Sequence, residues 1–419
     1  MKFNQKLLAI AMAAALPCMG AHAQTNAELV RQIELLKAQI DALTAKVEAV
    51  SQQAGGVNPQ EFNRLVQKVE LAQETNLAAG FVGLKFKGVV DVAYLWDRNS
   101  VTVGFDSARG NGGFGAAMFE VTKESEEGVG WTLRLVPLRG AGGSIVHEAS
   151  VSVPFGDGGA KLNAGVMPDY SGYEFSMGNQ NPFITNNLLY THTAAGTYVG
   201  AGMSYALGKW TAKWMIGQVD GVATRKAPGF AYRADYSINE YAGVGFSGVH
   251  VRTNAVAALA NADLLEIDAY HTRGDMTLQG QLSIGRVLSG ALGASGADAR
   301  WWGLSGVAGY KLTPRLQALA RFDYINNRKH GGGVYFNPAD ANGTTVFGPE
   351  LDNAGLPIDP TRGANRYALT TGINFAVNDN TQWKTELRFD RSSGFNFLNS
   401  NGIYKRGNTT LSTGVVVSF

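Results

Sequence analysis

The chain has 419 residues with 36 basic and 34 acidic side chains, and its formal net charge of +2 is too small and too evenly spread to suggest a nucleic-acid partner. Glycine is abundant at 53 residues, proline is sparse at 12, and charged residues are only 17%. Nothing beyond the first twenty residues is apolar and long enough for a transmembrane helix, and Cys18, the single cysteine, leaves no disulfide or Cys-ligated metal in the chain that follows it.

At the amino terminus Lys2 and Lys6 form a basic region, Leu7 to Leu16 an apolar core, and Ala21-His22-Ala23 a small-residue cleavage site. This predicts a secretory signal over 1–23 and a mature start at Gln24. A lipoprotein signal wants a small residue before the cysteine, and Pro17 fits that poorly.

From there, apolar residues recur at Leu29, Ile33, Leu36, Ile40, Leu43, Val47 and Val50, in alternating steps of four and three. That is a heptad seam, and its narrowness and polar flanks favour a coiled coil over 24–56 rather than one amphipathic helix packed on a domain. Ile and Val at one seam position with Leu at the other would favour two strands in an isolated peptide. Gly55-Gly56 breaks the pattern, and a second short helix is expected from Pro59 to about Ala72, within a linker over 57–80.

From Phe81 the period changes to two. In "FVGLKFKGVVDVAYLWD" one face carries Phe86, Val90, Val92, Tyr94 and Trp96 and the other Lys85, Lys87 and Asp91. The pattern recurs with short turns near Glu126 to Gly130, Gly156 to Gly159, Gly208-Lys209, Asn239, Arg273-Gly274-Asp275, Lys311 to Pro314 and Asn378 to Asn380. Seven short turns imply eight hairpin-joined pairs, hence an all-β domain over 81–419, a 16-stranded antiparallel transmembrane barrel. A closed barrel is the one way for strands to satisfy their backbone hydrogen bonds in lipid. The expected strands are 82–96, 114–123, 131–137, 146–154, 160–167, 197–207, 210–219, 229–238, 241–250, 263–272, 276–286, 300–310, 315–325, 366–377, 381–391 and 404–419. An even count puts both termini, and with them the helical prefix, on the periplasmic side. Trp96, Trp131, Trp210, Tyr236, Trp302, Tyr310, Tyr324, Trp383 and Phe419 stand at strand ends, where two interfacial aromatic girdles would lie. In "TLSTGVVVSF" the set Leu411, Thr413, Val415, Val417 and Phe419 shares one face, so the last strand closes on an interface aromatic.

Alternating strands ending in Phe419 resemble Gram-negative sixteen-stranded porins, and the last strand is similar to the signal that such proteins present to the barrel-assembly machinery. The segments "PQEFNRLVQKVE", "VHEASVSVPFG" and "PDYSGYE" resemble a proteobacterial family of porin-like proteins of unassigned function, over nearly the whole mature chain. The helical prefix is similar to that of trimeric porins with a periplasmic coiled coil. The resemblance implies the outer membrane, with lipid and lipopolysaccharide around the barrel, and a homo-oligomer that is a trimer, but no substrate. It implies no cofactor and no nucleic acid. The trimer conflicts with the two-strand preference of the seam, and the barrel surface outweighs three heptads.

In porins the loop after the fifth strand folds into the lumen. Here that loop is 168–196, with Asp169 and Glu174, four aromatics and several amides; the alternative is an outward-facing loop. The loop 326–365 reads as surface or subunit contact. Alternation gives an inward set of nine bases and nine acids, most of which would simply pair along or across strands. Arg134, Lys213, Arg321 and Arg388, near mid-height by count, are the bases expected to face Asp169 and Glu174 across the constriction and to set up a transverse field.

An enzyme is not expected. The histidines are scattered, only His147 has an adjacent carboxylate, Glu148, and neighbours in a strand point to opposite faces. No metal-ligand spacing recurs; "DANG" at 340–343 is only a fragment of a calcium loop, and Arg273-Gly274-Asp275 reads as a turn. The expected function is passive diffusion of small hydrophilic solutes or ions, with a structural or adhesive barrel as the alternative.

Overall fold

The computed structural model describes residues 83–99, 104–106, 117–125, 128–136, 145–156, 158–175, 177–219, 228–253, 260–288, 297–329 and 349–419. The heptad seam from Leu29 to Val50 lies outside them.

Sixteen strands form the wall: β1 Leu84–Asp97, β2 Ala117–Lys123, β3 Gly130–Leu135, β4 Val146–Phe155, β5 Ala160–Pro168, β6 Thr197–Leu207, β7 Trp210–Val219, β8 Gly229–Asn239, β9 Ala242–Thr253, β10 Ala260–Arg273, β11 Met276–Val287, β12 Ala299–Thr313, β13 Leu316–Lys329, β14 Arg366–Asn378, β15 Thr381–Ser392 and β16 Gly407–Ser418. Each pairs antiparallel with the next, and β1 closes on β16 from Val89↔Ser418 to Asp97↔Thr410. Closure leaves no unpaired edge, which is the condition for burying strands in lipid.

The wall is turned inside out relative to a soluble sandwich. Val90, Val92, Phe246, Ile267, Leu282, Ile284, Phe322, Leu369, Phe389 and Val415 are exposed on its outer face, while Asp91, Glu120, Glu266, Arg321, Asp323, Lys384 and Glu386 are buried on its inner one. Two pairs of the girdle aromatics meet across strands on the outer face, Trp210 with Tyr236 at 4.7 Å between ring centroids and Trp302 with Tyr324 at 5.3 Å. Phe419 exchanges two backbone hydrogen bonds with Gly88 (2.8 and 3.0 Å), and its ring covers that glycine's α-carbon, where any larger residue would displace it.

Some strand limits differ from the expectation. The last strand begins at Gly407 rather than at residue 404, because Tyr404–Lys405 pairs instead with Phe397–Leu398 outside the wall. β13 runs on to Lys329, where backbone pairing with Arg362 adds a hairpin made of Pro349–Leu351 and Pro357–Gly363. The expected loop over 326–365 thus carries strands of its own, which periodicity missed because each is short.

Candidate functional site

The chain leaves β5 at Pro168 and returns to the wall at Thr197, and the segment between lies inside the barrel. Its local sequence makes it compact. Asp169 accepts hydrogen bonds from the Ser171 amide (3.0 Å) and hydroxyl and, from the far end of the segment, from the Ala195 amide (2.9 Å) and the Tyr198 hydroxyl. One carboxylate therefore draws the two ends of the loop together. Asn181 closes the turn over 175–181 by donating to the Phe175 carbonyl and accepting from its amide (2.6 and 2.8 Å). Asn187 caps the six-residue helix α1, Leu188–Thr193, accepting from the Tyr190 amide at 2.6 Å. Gly172 has φ +69°, and a β-carbon there would meet the Gln281 side chain, so the closest approach to β11 requires glycine.

Inward charges of the wall then grip this loop by its backbone. Arg321 on β13 donates to Glu174 Oε1 (2.9 Å), to Asp323 (3.1 Å) and to the carbonyls of Thr185 (2.7 Å) and Asn186 (3.1 Å), with its guanidinium 4.8 Å from the Phe183 ring centre. Arg388 on β15 donates to the same Asn186 carbonyl at 2.7 Å and pairs with Asp390 at 2.9 Å. Glu386, two residues before Arg388 on the same face of β15, accepts from the Ile184 amide (2.7 Å), the Thr185 amide (3.1 Å) and the Thr185 hydroxyl (2.6 Å). Lys384 donates to the carbonyls of Gly178 (2.6 Å) and Asn181, and Asn374 on β14 to that of Pro182 (2.8 Å). On the other flank Arg233 reaches the Tyr170 carbonyl (3.0 Å) while paired with Asp268 (2.8 Å), and the Tyr173 hydroxyl joins Ser305 (2.6 Å), which donates to Asp323. A carboxylate or guanidinium taken out of water is tolerable only with such full partnering.

Apolar contacts complete the docking. Tyr173 and Phe183 pack with Val307 and Leu319; Leu188 and Leu189 share a cluster with Leu264, Trp301 and Ile325; Met177 and Ile184 share one with Val89, Met118, Val136 and Val416.

The polar wall of β2 to β7 carries a different arrangement. Arg134 lies between Glu120 and Glu148, at 2.6 Å through Nε to the first and 3.0 Å to the second, and keeps 20% of its side chain exposed. Lys87, 62% exposed, reaches Glu120 from β1 at 3.2 Å. Lys213 lies 4.2 Å from the centre of the Tyr170 ring.

The six constriction residues expected from sequence therefore separate into groups. Glu174 meets Arg321, but both side chains are fully enclosed at 0% exposure, and Arg388 lies beside them. Asp169 staples its own loop, and of the mid-wall bases it is Lys213 whose charge it feels. Arg134 stands away from the loop between Glu120 and Glu148, while Lys213 sits beside the anchor Arg233 and against Tyr170 of the loop. Sequence reasoning assigned no role at this site to Lys384 and Glu386, although "KTELRFD" places four ionisable residues in succession on the inner face of one strand, an unusual cost that called for a partner. Among the described residues no group of three or more His, Cys, Asp or Glu could hold a metal ion.

Residues 83–419 match the family model described as "Putative beta-barrel porin-2, OmpL-like". The chain belongs to this family. It is an outer-membrane β-barrel of the porin kind. Solved structures similar to this porin include the anion-selective porin from Comamonas acidovorans, at 12% identity and TM-score 0.56, covering 80% of this chain and 99% of that one. Another is OmpF of Salmonella typhi in complex with daunomycin, at 12% identity and TM-score 0.53, covering 80% and 97%. A third is the trimer form of OmpT of Vibrio cholerae, at 11% identity and TM-score 0.52, covering 80% and 99%. At such identities the likeness is one of fold. No curated protein sequence matches the chain.

Proposed function

We propose that small hydrophilic solutes and ions diffuse passively through this porin along the wall of β2 to β7, past Arg134, while the loop over 168–196 narrows the lumen from the other side. The observation that carries this reading is the asymmetry of the docking. The loop's charged anchors lie on β8, β13 and β15, whereas Arg134, between Glu120 and Glu148, keeps a solvent-exposed fraction. Arginine flanked by two carboxylates gives a local field of mixed sign, which orients dipolar solutes without excluding either ion outright. Conductance of the purified protein in planar bilayers, with the reversal potential under a salt gradient, tests this directly. Stepwise openings with weak selectivity support the path; a silent bilayer containing folded protein refutes it.

The same reading takes the short-turn rim, with Phe419 as anchor and assembly signal, to the periplasm, and takes residues 24–56 there as a coiled coil registering a homo-oligomer. The trimer form of the similar Vibrio cholerae protein supports three copies as the state to test first.

One observation favours the structural or adhesive barrel instead. Met177 and Ile184 reach the inner faces of β1, β2 and β16, so the loop touches the wall on this side as well as along β8 to β15. A silent bilayer would be the outcome expected of that barrel.

A further inference from the structure

On the outer face of the wall, near the long-loop rim, four residues stand in one cross-strand row: His250↔Asp263 between β9 and β10, Asp263↔Arg286 between β10 and β11, and Arg286↔Arg300 between β11 and β12. The last pair is anomalous. Two arginines directly opposite one another on adjacent strands, about 5 Å apart at the backbone, repel. Both are half exposed, at 49% and 52%.

Asp263 lies on the β10 side of this pair, and Asp298, two residues before Arg300, acts electrostatically on Arg286 as well. Asp263 accepts from Arg286 Nε at 2.6 Å and shares its other oxygen with His250 Nδ1 at 2.8 Å. Asp298 meets Arg300 through one nitrogen at 3.4 Å. Neither guanidinium presents its two-pronged face to a carboxylate among the described residues, and that face matches a phosphate. One pleat towards the middle of the wall, the same outer face becomes apolar, with Ile284 at 49% and Trp302 at 40% exposure, the latter packed edge-on against Tyr324. The row thus lies where hydrocarbon gives way to headgroups.

We propose that Arg286 and Arg300 together bind the phosphate of an outer-leaflet lipid, the phosphate bridging the two guanidinium groups and the acyl chains lying over Ile284 and Trp302. The adjoining apolar wall argues for a lipid rather than a free ion. Free phosphate would gain only half-exposed charge contacts, which are weak in water, whereas a lipid phosphate brings its own chains to the wall beneath. The proposal rests on the outer-membrane location but not on conduction, so a silent bilayer leaves it standing.

The test uses the full folded chain in detergent micelles, titrated with bisphosphorylated lipid A and followed by native mass spectrometry. The R286Q/R300Q variant should bind lipid A about thirtyfold more weakly than the parent, given about fivefold per basic residue at a membrane surface. R315Q, an exposed change at the short-turn rim, should bind as the parent does. Dephosphorylated lipid A should bind the parent and R286Q/R300Q equally weakly. Unchanged lipid A binding in R286Q/R300Q, with the heat-modifiable migration of a folded barrel retained, overturns the proposal. Inorganic phosphate binding the parent as tightly as lipid A does would overturn it too, by assigning the pair to a free ion.

Discussion

Replacing Glu386 by alanine should release the lumenal loop without opening the barrel. Its carboxylate is 1% exposed and receives three hydrogen bonds from Ile184 and Thr185, all charge-assisted. Such bonds are worth about 1.5–3 kcal/mol each, and water entering the vacated space recovers part of that. Breaking a buried, partnered charge costs about 3–5 kcal/mol, so about 4 kcal/mol is the expected weakening of docking. At about 1.4 kcal/mol per decade, the population with the loop undocked rises about a thousandfold. The readout is amide hydrogen exchange at Ile184 and Thr185, whose protection should fall by about that factor, while the amides pairing β15 with β16 keep theirs. Glu386→Gln retains one acceptor oxygen and should give a smaller loss. Planar-bilayer recordings of the alanine variant should show a noisier open level. If Ile184 and Thr185 exchange as slowly in the variant as in the parent, the carboxylate is not what holds the loop.

Arg134→Gln should shift the low-salt reversal potential towards cations, since the Debye length of about 30 Å at 0.01 M leaves the field of Glu120 and Glu148 unscreened; an unchanged potential would remove Arg134 from the path. Arg321→Gln should instead lower loop protection, because it strands Glu174 and Asp323 in an enclosed site; a change of selectivity with intact protection would reverse these two roles. Leu36→Asp with Leu43→Asp places charge in the heptad seam and should weaken the oligomer on mild native gels while leaving heat-modifiable migration intact. An unchanged oligomer would give residues 24–56 another purpose. Deleting Phe419 removes the partner of both Gly88 backbone hydrogen bonds and should lower the outer-membrane yield; normal assembly of the truncated chain would rule out the signal role.

The strand count and the orientation of side chains were written in the sequence, because a wall with lipid on one side and a polar lumen on the other imposes a period of two on every strand. Thus Val90 and Val92 alternate with Asp91, and Leu369 shares a face with neither Ala368 nor Thr370; a one-residue slip would put charge into lipid. The place of the loop after β5 was legible too, by count and by resemblance. What each inward charge touches was not. Arg321, Arg388 and Arg134 have the same signature in the sequence, a base on the inner face near mid-height. Yet the first two end enclosed against backbone carbonyls more than a hundred and thirty residues away, and the third between two carboxylates of neighbouring strands. Likewise Asp169 and Glu174, five residues apart in one loop, became a local staple and a long-range anchor. Alternation is a local property of the backbone and reports only which way a side chain points. Which partner it meets depends on where the loop crosses the lumen, and that is decided by contacts with many strands of the wall made together, which no local pattern records.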